Sequence, residues 1–322
     1  MTSTAKRLPD VLTDPVSGRR ISLLDYKARN VRLSWLLAVG TALILAALAY
    51  LLAQVTDVAS TGFFVGSALA IGGAQGVVGF LLSDKIALAA AGAQKATAEQ
   101  HRYLVNVAEA VAIGAGVPTP AVYVIDSPAP NAFATGRDPS RSSIAVTRGL
   151  LELLDRQELE GVVAHEMAHI RNYDVRFMSM LVATVGAMIV LRDLVLRWMR
   201  FGGSSRSRRS GSDRGGGAAQ GVVLLLLVVL LVLGPVLATL LRLAVSRRRE
   251  YLADASAAYI TRNPEGLARA LEKIRDYRGP VLEVSEGVRH MFFVNPVSGR
   301  DGSALFSTHP PIQERIDRLR RM

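Results

Sequence analysis

The sequence predicts an α-helical membrane protein that carries a mixed α+β domain. Half of the 322 residues are hydrophobic and the mean hydropathy is +0.28, which is high for a soluble enzyme. Two charge-free runs, each long enough to cross a bilayer, stand close together near the N-terminus. The rest of the chain mixes short strand-like segments with amphipathic helical ones, as an α+β domain does.

Charge and cysteine content narrow the possible chemistry. The chain has no cysteine, which excludes a Cys-ligated metal, a thiol nucleophile and disulfide bonds. Its net charge is +11, and the Lys and Arg residues lie outside the apolar runs. We therefore expect contact with a lipid bilayer through its anionic headgroups. No nucleic-acid partner is expected, because no recognised binding module is present and only 6% of residues are aromatic.

Residues 1–32 form a polar, basic segment ahead of the first apolar run. Lys and Arg recur along it, and Pro and Gly interrupt regular structure. We interpret it as a flexible cytoplasmic tail with a short turn at residues 14–18. It is longer and more polar than the N-terminal region of a usual signal peptide.

Residues 33–82 are predicted to form a transmembrane hairpin. Its two runs, 33–55 and 61–82, each reach the roughly 20 residues that a spanning helix needs. The alternatives are two buried helices in a soluble core, or a cleaved signal peptide at the first run. The link between the runs carries only Asp57, whereas Lys85 follows the second run. The positive-inside rule then places the tail and the chain after residue 83 in the cytoplasm.

Residues 83–176 are interpreted as the first part of the α+β domain. The alanine-rich sequence 96–114 has apolar residues at helical spacing. Segments 121–125 and 142–146 have the composition of short strands. Asp155, with Glu158 three positions later, resembles a capping box, so a helix is predicted to begin there.

That helix contains His165-Glu-Met-Ala-His169. Residues four apart lie on one helix face with Cβ atoms about 5–6 Å apart, so both imidazoles can bind one small cation. Zinc accepts His nitrogens and tolerates a fourth position open to water. Glu166 lies on the same turn and can act as a general base toward that water. Such a short pattern also arises by chance, so the prediction depends on a third ligand.

Residues 177–245 are predicted to form a second hydrophobic hairpin. Its apolar runs cover 177–191 and 222–241, and the Arg-, Gly- and Ser-rich sequence 197–217 between them is typical of a flexible loop. If both runs span the membrane, this basic loop lies outside, against the positive-inside rule. The alternatives are a hairpin that dips into the membrane or one that packs on the domain. The sequence leaves them open.

Residues 246–322 are interpreted as the second part of the domain. Glu250 and Asp254 are four apart in a segment of helical composition. Glu250 is the candidate third ligand, because a carboxylate from a second helix completes a His-His-Glu zinc site. Asp254 is a candidate to accept the free ring N–H of a ligating histidine. The alternative is a solvated face that pairs with the basic residues Arg247–Arg249.

These motifs, in this order, resemble the HtpX-like membrane zinc metallopeptidases, relatives of the CAAX prenyl endopeptidases. The resemblance covers residues 33–322. The long basic tail and the composition of the 197–217 loop depart from the family pattern. Four motifs carry the resemblance: His165-Glu-Met-Ala-His169, Glu250-Tyr-Leu-Ala-Asp254, Asn131-Ala-Phe-Ala-Thr-Gly136 and Ser307-Thr-His309-Pro-Pro.

The resemblance implies a gluzincin-type α+β domain with one Zn²⁺ per chain. The residues at the matching positions are His165, His169 and Glu250 as metal ligands and Glu166 as the catalytic base. Asp254 would accept the free ring N–H of a ligating histidine and so orient that ring.

The resemblance also implies a substrate-binding role for several residues. The segment Asn131, Ala132, Phe133 and Ala134 is similar to an extended segment that aligns substrate, and an edge strand can bind a peptide backbone by β-augmentation. The alternative is a plain turn with a buried Phe133. His309 is expected near the active site, where it could steady substrate; alternatively it is a turn residue before a helix at 312–321. Arg249 either orients the site or supplies membrane-flanking charge.

The sequence thus predicts an integral-membrane zinc endopeptidase. The resemblance implies quality control of membrane proteins and a stress response, in a bacterial inner membrane, with the catalytic domain facing the cytoplasm. Unfolded or membrane proteins are the expected substrates. The alternatives are a narrow-specificity, CAAX-like maturation protease and a metal-bound membrane scaffold with little hydrolysis. Glu166 argues against the scaffold, because a pure binding module has no need of that carboxylate.

Overall fold

The computed structural model combines two long N-terminal helices with an α+β domain. The predicted second hairpin lies outside the described residues beyond its first helical turns, and so do the 197–217 loop and His309. The structure describes residues 11–13, 18, 20–56, 61–181, 184, 247–282, 291–294 and 310–322.

The N-terminal part begins with a small antiparallel pair of strands, β1 (Val11–Thr13) and β2 (Arg20–Ser22), on either side of the predicted turn. Helix α1 (Leu23–Thr56) follows, and helix α2 (Thr61–Ala90) packs against it. Residues 23–32 are therefore helical and not part of a flexible tail. Helix α1 starts ten residues before the uncharged run, because its first part is amphipathic and charged and so carries no signal of a membrane span.

The two long helices cover both apolar runs of the predicted hairpin. Within the described parts of the chain, no helix combines the length and the hydropathy needed to cross a membrane. The transmembrane assignment of 33–82 stays a prediction.

The domain is built on a four-stranded mixed sheet. Its strands are β3 (Ala93–Lys95), β4 (Ala121–Ile125), β5 (Ala132–Asp138) and β6 (Arg141–Thr147). Their order is β3-β4-β6-β5; β4 and β6 are parallel, whereas the two outer pairs are antiparallel. Strand β5, which contains most of the predicted substrate-aligning segment, is thus an edge strand of this sheet.

Helices pack against the sheet and, in a second layer, against one another. In chain order they are α3 (Arg102–Ala115), α4 (Arg148–Leu153), α5 (Arg156–Arg171), α6 (Arg247–Thr261), α7 (Pro264–Asp276) and α8 (Ile312–Leu319). Another helical segment begins at Asp174, directly after α5.

Helix α5 lies in the centre of this arrangement, against β5, α3, α6 and α7. The predicted capping box is confirmed: the Asp155 side chain accepts from the Glu158 N–H, and the Glu158 carboxylate accepts from the Asp155 N–H. Eleven of its sixteen residues are buried, including the polar His165 and Glu166. A helix buried to this extent holds its side chains in fixed positions.

Two glycines allow α5 and α7 to meet backbone to backbone. A Cβ added to Gly161 would lie 2.8 Å from the backbone of Leu267, and one added to Gly266 would lie 2.6 Å from the carbonyl oxygen of Gln157. Both separations are shorter than real Cβ contacts allow. This close approach fixes the position of α5 against α7, one turn before His165.

The structure differs from the predicted elements at two places in the domain. The helix predicted at 96–114 begins only at Arg102, because the preceding residues leave β3 and form turns. Helix α7 was not predicted, although Asn263 followed by Pro264 is a typical helix start, and the Asn263 side chain accepts from the Gly266 N–H.

Candidate active site

Helix α5 presents His165 and His169 on one face. Their Nε2 atoms are 3.1 Å apart, and the rings meet edge to face with centroids 4.8 Å apart. His165 is almost fully buried, with 1% of its side chain exposed, whereas His169 is 14% exposed. Both rings therefore point into the domain, and only the His169 ring is partly accessible to solvent.

Helix α6 brings Glu250 to the same point. Its carboxylate oxygens lie 3.6 Å from His165 Nε2 and 3.8 Å from His169 Nε2. One donor atom from each of the three residues falls within 4.8 Å of the others. Ligands placed tetrahedrally at about 2.0–2.1 Å from a zinc ion would lie about 3.3 Å from one another. The observed separations fit one such ion.

The hydrogen bonds behind the two rings explain why a cation fits between them. His165 Nδ1 lies 2.9 Å from Asp254, and His169 Nδ1 lies 2.9 Å from Asp174. Because an ionised carboxylate can only accept a hydrogen bond, both Nδ1 atoms carry the hydrogen in the neutral rings. Both Nε2 lone pairs then face the same point, with the Glu250 carboxylate beside them. Such a donor set is complementary to a metal ion.

The support of His165 comes from helices α6 and α8. Asp254 accepts two hydrogen bonds from the fully buried Arg315, at 2.9 Å from Nε and 2.7 Å from Nη2. Burial and the charge of Arg315 lower the pKa of His165, but the hydrogen bonds with Asp254 and Glu250 outweigh them and raise this pKa to about 9. Burial raises the pKa of Asp254, and the charges of Arg315 and His165 lower it more strongly. The surroundings therefore favour a positive charge at the ring.

The support of His169 comes from Asp174 and its neighbours. Asp174 is 2% exposed and lies just past the end of α5. Its other oxygen faces Arg249, whose Nε is 3.1 Å away. Arg249 is itself buried beside Phe177. Of the two interpretations of Arg249, the structure favours the one in which it orients the site; its guanidinium contacts Asp174.

Glu166 is 2% exposed and faces the same centre. Burial raises the pKa of its carboxyl, whereas the charges of His165 and His169 and the backbone N–H of Ala134 lower it. The last contact joins the candidate base to edge strand β5. A general base works best when its pKa approaches the working pH, and burial shifts Glu166 in that direction.

The predicted substrate segment lies beside this base, but its side chains have other roles. Phe133 is fully buried and packs edge to face on Phe292, with ring centroids 4.9 Å apart. The segment is extended, as predicted, and Phe133 is buried, as in the alternative interpretation; its side chain points to the sheet face opposite Ala132 and Ala134. Those two residues are also buried, and two of their backbone groups have partners within the chain: the Ala132 carbonyl accepts from Phe293 and the Ala134 N–H interacts with Glu166. A role of this segment in substrate binding stays a prediction.

Asn131 and Ala132 hold another part of the chain. The Asn131 amide donates to the carbonyl of Val294 at 2.8 Å and accepts from its N–H at 3.2 Å, and the carbonyl of Ala132 accepts from the N–H of Phe293 at 2.8 Å. Phe293 in turn stacks edge to face on His165 at 4.9 Å. Asn131 thus anchors residues 291–294 beside the metal ligands.

Asp174 and Arg315 were not predicted from the sequence as residues of the site. Asp174 stands five residues after the second histidine, so its place at the helix end was a usable signal. Arg315 lies 150 residues from His165 in sequence, and only its position in an amphipathic C-terminal helix marked it.

The part of the chain that forms this site matches a known protein family. Residues 98–322, which include every candidate metal ligand, match the family described as "Peptidase family M48". The chain belongs to peptidase family M48. It is therefore a metallopeptidase by family, and the predicted resemblance to HtpX-like peptidases is confirmed by its relatives.

This M48 peptidase is similar to several proteins named "Protease HtpX homolog". It is 43% identical over 299 residues to that of Caldanaerobacter subterraneus, which covers 93% of this chain and 97% of the relative. It is 48% identical over 240 residues to that of Dictyoglomus thermophilum, covering 74% and 76% of the two chains. The Tropheryma whipplei relative is 42% identical over 245 residues, covering 76% and 81%.

Among solved structures, the chain is similar to the crystal structure of S. mikatae Ste24p. The identity is 18% and the TM-score 0.46, over 92% of this chain and 67% of that one.

Proposed function

We propose that this M48 peptidase is a zinc-dependent endopeptidase of a bacterial inner membrane, with its catalytic domain facing the cytoplasm. It hydrolyses peptide bonds of unfolded or membrane proteins and serves protein quality control under stress. The observation that carries the proposal is the convergence of His165, His169 and Glu250 beside the buried Glu166. Two neutral imidazoles and one carboxylate are the donor set of many catalytic zinc sites, which keep a fourth position for water.

The residues of the site have separate roles in the proposed reaction. A zinc ion held by the three ligands supplies a Lewis acid that polarises a carbonyl and lowers the pKa of water. Glu166 takes the proton from the attacking water and gives it to the leaving amine. Asp254 and Asp174 keep both imidazoles in the tautomer whose Nε2 lone pairs face the metal.

The position of β5 supports a peptide substrate. An extended peptide can add to a sheet edge through main-chain hydrogen bonds, with alternate side chains directed to pockets. The N–H of Ala134, which interacts with Glu166, belongs to this edge strand. A peptide bound along β5 would therefore pass next to the general base.

The surface of the two long helices supports a membrane location. Large apolar side chains of α1 face outward, among them Leu36 at 66% and Leu43 at 59% exposure. On α2, Val77 is 57% exposed. Leu36 and Leu43 are seven residues apart and so lie on one face of α1. Apolar side chains exposed along a helix face in this way are expected where a helix contacts lipid.

The test is a Glu166→Gln variant, in which zinc content and cleavage of casein are measured on the same purified sample. We expect full zinc content and a loss of cleavage on the order of 10²–10⁴-fold, the usual contribution of a general base. Glu160→Gln, on the same helix and paired with Arg156 at the surface, is the matched control and should retain activity. Full cleavage by the Glu166 variant would contradict the proposal.

A further inference from the structure

Asn30 connects the first long helix to the metal centre. It lies two turns into α1, ahead of the apolar run, and is 1% exposed. Its side-chain amide donates to the carbonyl oxygen of Asn172 at 2.9 Å and to Asp174 Oδ1 at 2.7 Å. Asn30 and Asp174 are 144 residues apart in sequence. The contact is therefore made by the fold, between α1 and the segment that follows the zinc-binding helix.

Asp174 transmits this contact to a metal ligand. Asn30 holds Oδ1, while Oδ2 lies 2.9 Å from Nδ1 of His169. A carboxylate held at one oxygen cannot rotate freely, so its other oxygen stays aimed at the ring. Mutation of a group that orients a ligating imidazole in this way typically lowers metal affinity about 10–100-fold.

A second contact comes from the same face of α1. Tyr26, one helical turn before Asn30, accepts a hydrogen bond from Arg249 Nε at 3.3 Å. Arg249 Nε also lies 3.1 Å from Asp174. Tyr26 and Asn30 thus approach one carboxylate from one side of the helix, directly and through an arginine.

We propose that Asn30 is a positioning residue of the metal centre: it fixes the Asp174 carboxylate that orients His169. The inference rests on the proposed function in taking the His-His-Glu cluster as a metal site. It makes α1 part of the site, so the helix that continues into the predicted membrane span sets the geometry of one metal ligand.

The neighbouring residue Ser34 separates this role from simple helix packing. Ser34 is fully buried one turn further along α1, and its hydroxyl donates only to the Asn30 carbonyl of its own helix. A variant at Ser34 therefore disturbs a buried polar group at the same interface without touching Asp174. It is the matched control for Asn30.

The test compares Asn30→Leu, which keeps similar volume without donors, with Ser34→Ala in the full chain in detergent. The zinc dissociation constant is measured by competition with a chelator, and thermal unfolding is followed on the metal-free protein. We expect zinc affinity to fall about 10-fold for Asn30→Leu, the lower end of the range for loss of a group that orients a ligand, because Asp174 keeps Arg249. For Ser34→Ala we expect a change of less than about twofold. If Asn30→Leu unfolds, Asn30→Ser, which keeps one polar group, should show the same direction with a smaller change.

An unchanged zinc affinity in a folded Asn30 variant, with lower thermal stability alone, would overturn the inference and leave Asn30 as a packing contact. A double-mutant cycle adds a second criterion. In an Asp174→Ala background, Asn30→Leu should cause no further loss of zinc affinity; an equal additional loss would overturn the inference as well. If the wild-type protein binds zinc but cleaves no peptide, the proposed function fails while the inference stands.

Discussion

The two histidines of the metal site are supported in different ways. His165 is held from inside the domain, by Asp254 on α6 and Arg315 on α8. His169 is held by Asp174, whose other partners are Arg249 and Asn30. One ligand therefore depends on packing within the catalytic domain, and the other depends also on the helix that leads to the predicted membrane span.

The two supporting carboxylates also differ in how their charge is balanced. Both oxygens of Asp254 accept from the single guanidinium of Arg315, a bidentate pair that is buried on all sides. Asp174 divides its contacts among an amide, a guanidinium and the imidazole. Loss of one partner should therefore lower the stability of the protein more at Asp254 than at Asp174.

Replacing the arginines tests this difference and has the largest expected effect. Arg315→Met leaves Asp254 buried without its cation and should destabilise the metal-free protein by about 3–5 kcal/mol. Arg249→Met should cost less, because Asp174 keeps the Asn30 amide. Chemical unfolding of the full chain in detergent measures both.

Removing the partner carboxylate as well controls for the arginine result. The double variant Arg315→Met, Asp254→Leu removes the buried carboxylate together with its bidentate partner, so part of the lost stability should return. Equal losses for Arg315→Met and Arg249→Met would contradict the asymmetry.

Neutralising the carboxylates gives the next largest effect, on metal affinity. Asp254→Asn and Asp174→Asn should each weaken zinc binding about 10–100-fold, because each loosens one imidazole. We expect Asp254→Asn to be the worse of the two. Arg315 already lies 3.9 Å from Glu250 and, once freed from Asp254, can pair with that ligand. Chelator competition measures the affinities; a larger loss for Asp174→Asn would reverse the ranking.

The sequence predicted the parts of the site that local spacing encodes. His165, Glu166 and His169 share one helix turn, Glu250 and Asp254 share another, and each pair follows from 3.6-residue periodicity alone. The helix start at Asp155 also follows from its neighbours. These residues needed no knowledge of how the elements pack.

The parts that the sequence did not predict depend on contacts between distant segments. Asn30 meets Asp174 across 144 residues, and no local pattern in a polar N-terminal segment marks such a contact. Arg315 likewise meets the site only through the fold, 150 residues from His165 in sequence. For Phe133 the sequence left two interpretations open, and only the packing of this side chain on Phe292 shows that it is part of the core.

The smallest expected effect comes from the start of α5, which both histidines share. Asp155→Ala removes the N-cap and should cost about 0.5–2 kcal/mol of stability. Zinc affinity should stay unchanged, because the cap lies ten residues before His165 and disturbs neither supporting carboxylate. Asp126→Ala, an exposed acid paired only with Arg148, is the control and should stay within about 0.5 kcal/mol.

The cap also predicts a pH dependence whose sign follows from its hydrogen bond. The N–H of Glu158 donates to Asp155 and lowers the pKa of that carboxyl. The contribution of the ionised cap is therefore present above the unfolded-state pKa of about 3.9 and is lost as the pH falls through the lower folded-state value. The stability difference between wild type and Asp155→Ala should shrink in acid. A difference that stays constant down to acid pH would show that the charge of the cap does not contribute.

A change in zinc affinity in the Asp155→Ala variant would show that the helix start influences the two ligands, which the buried packing of α5 argues against.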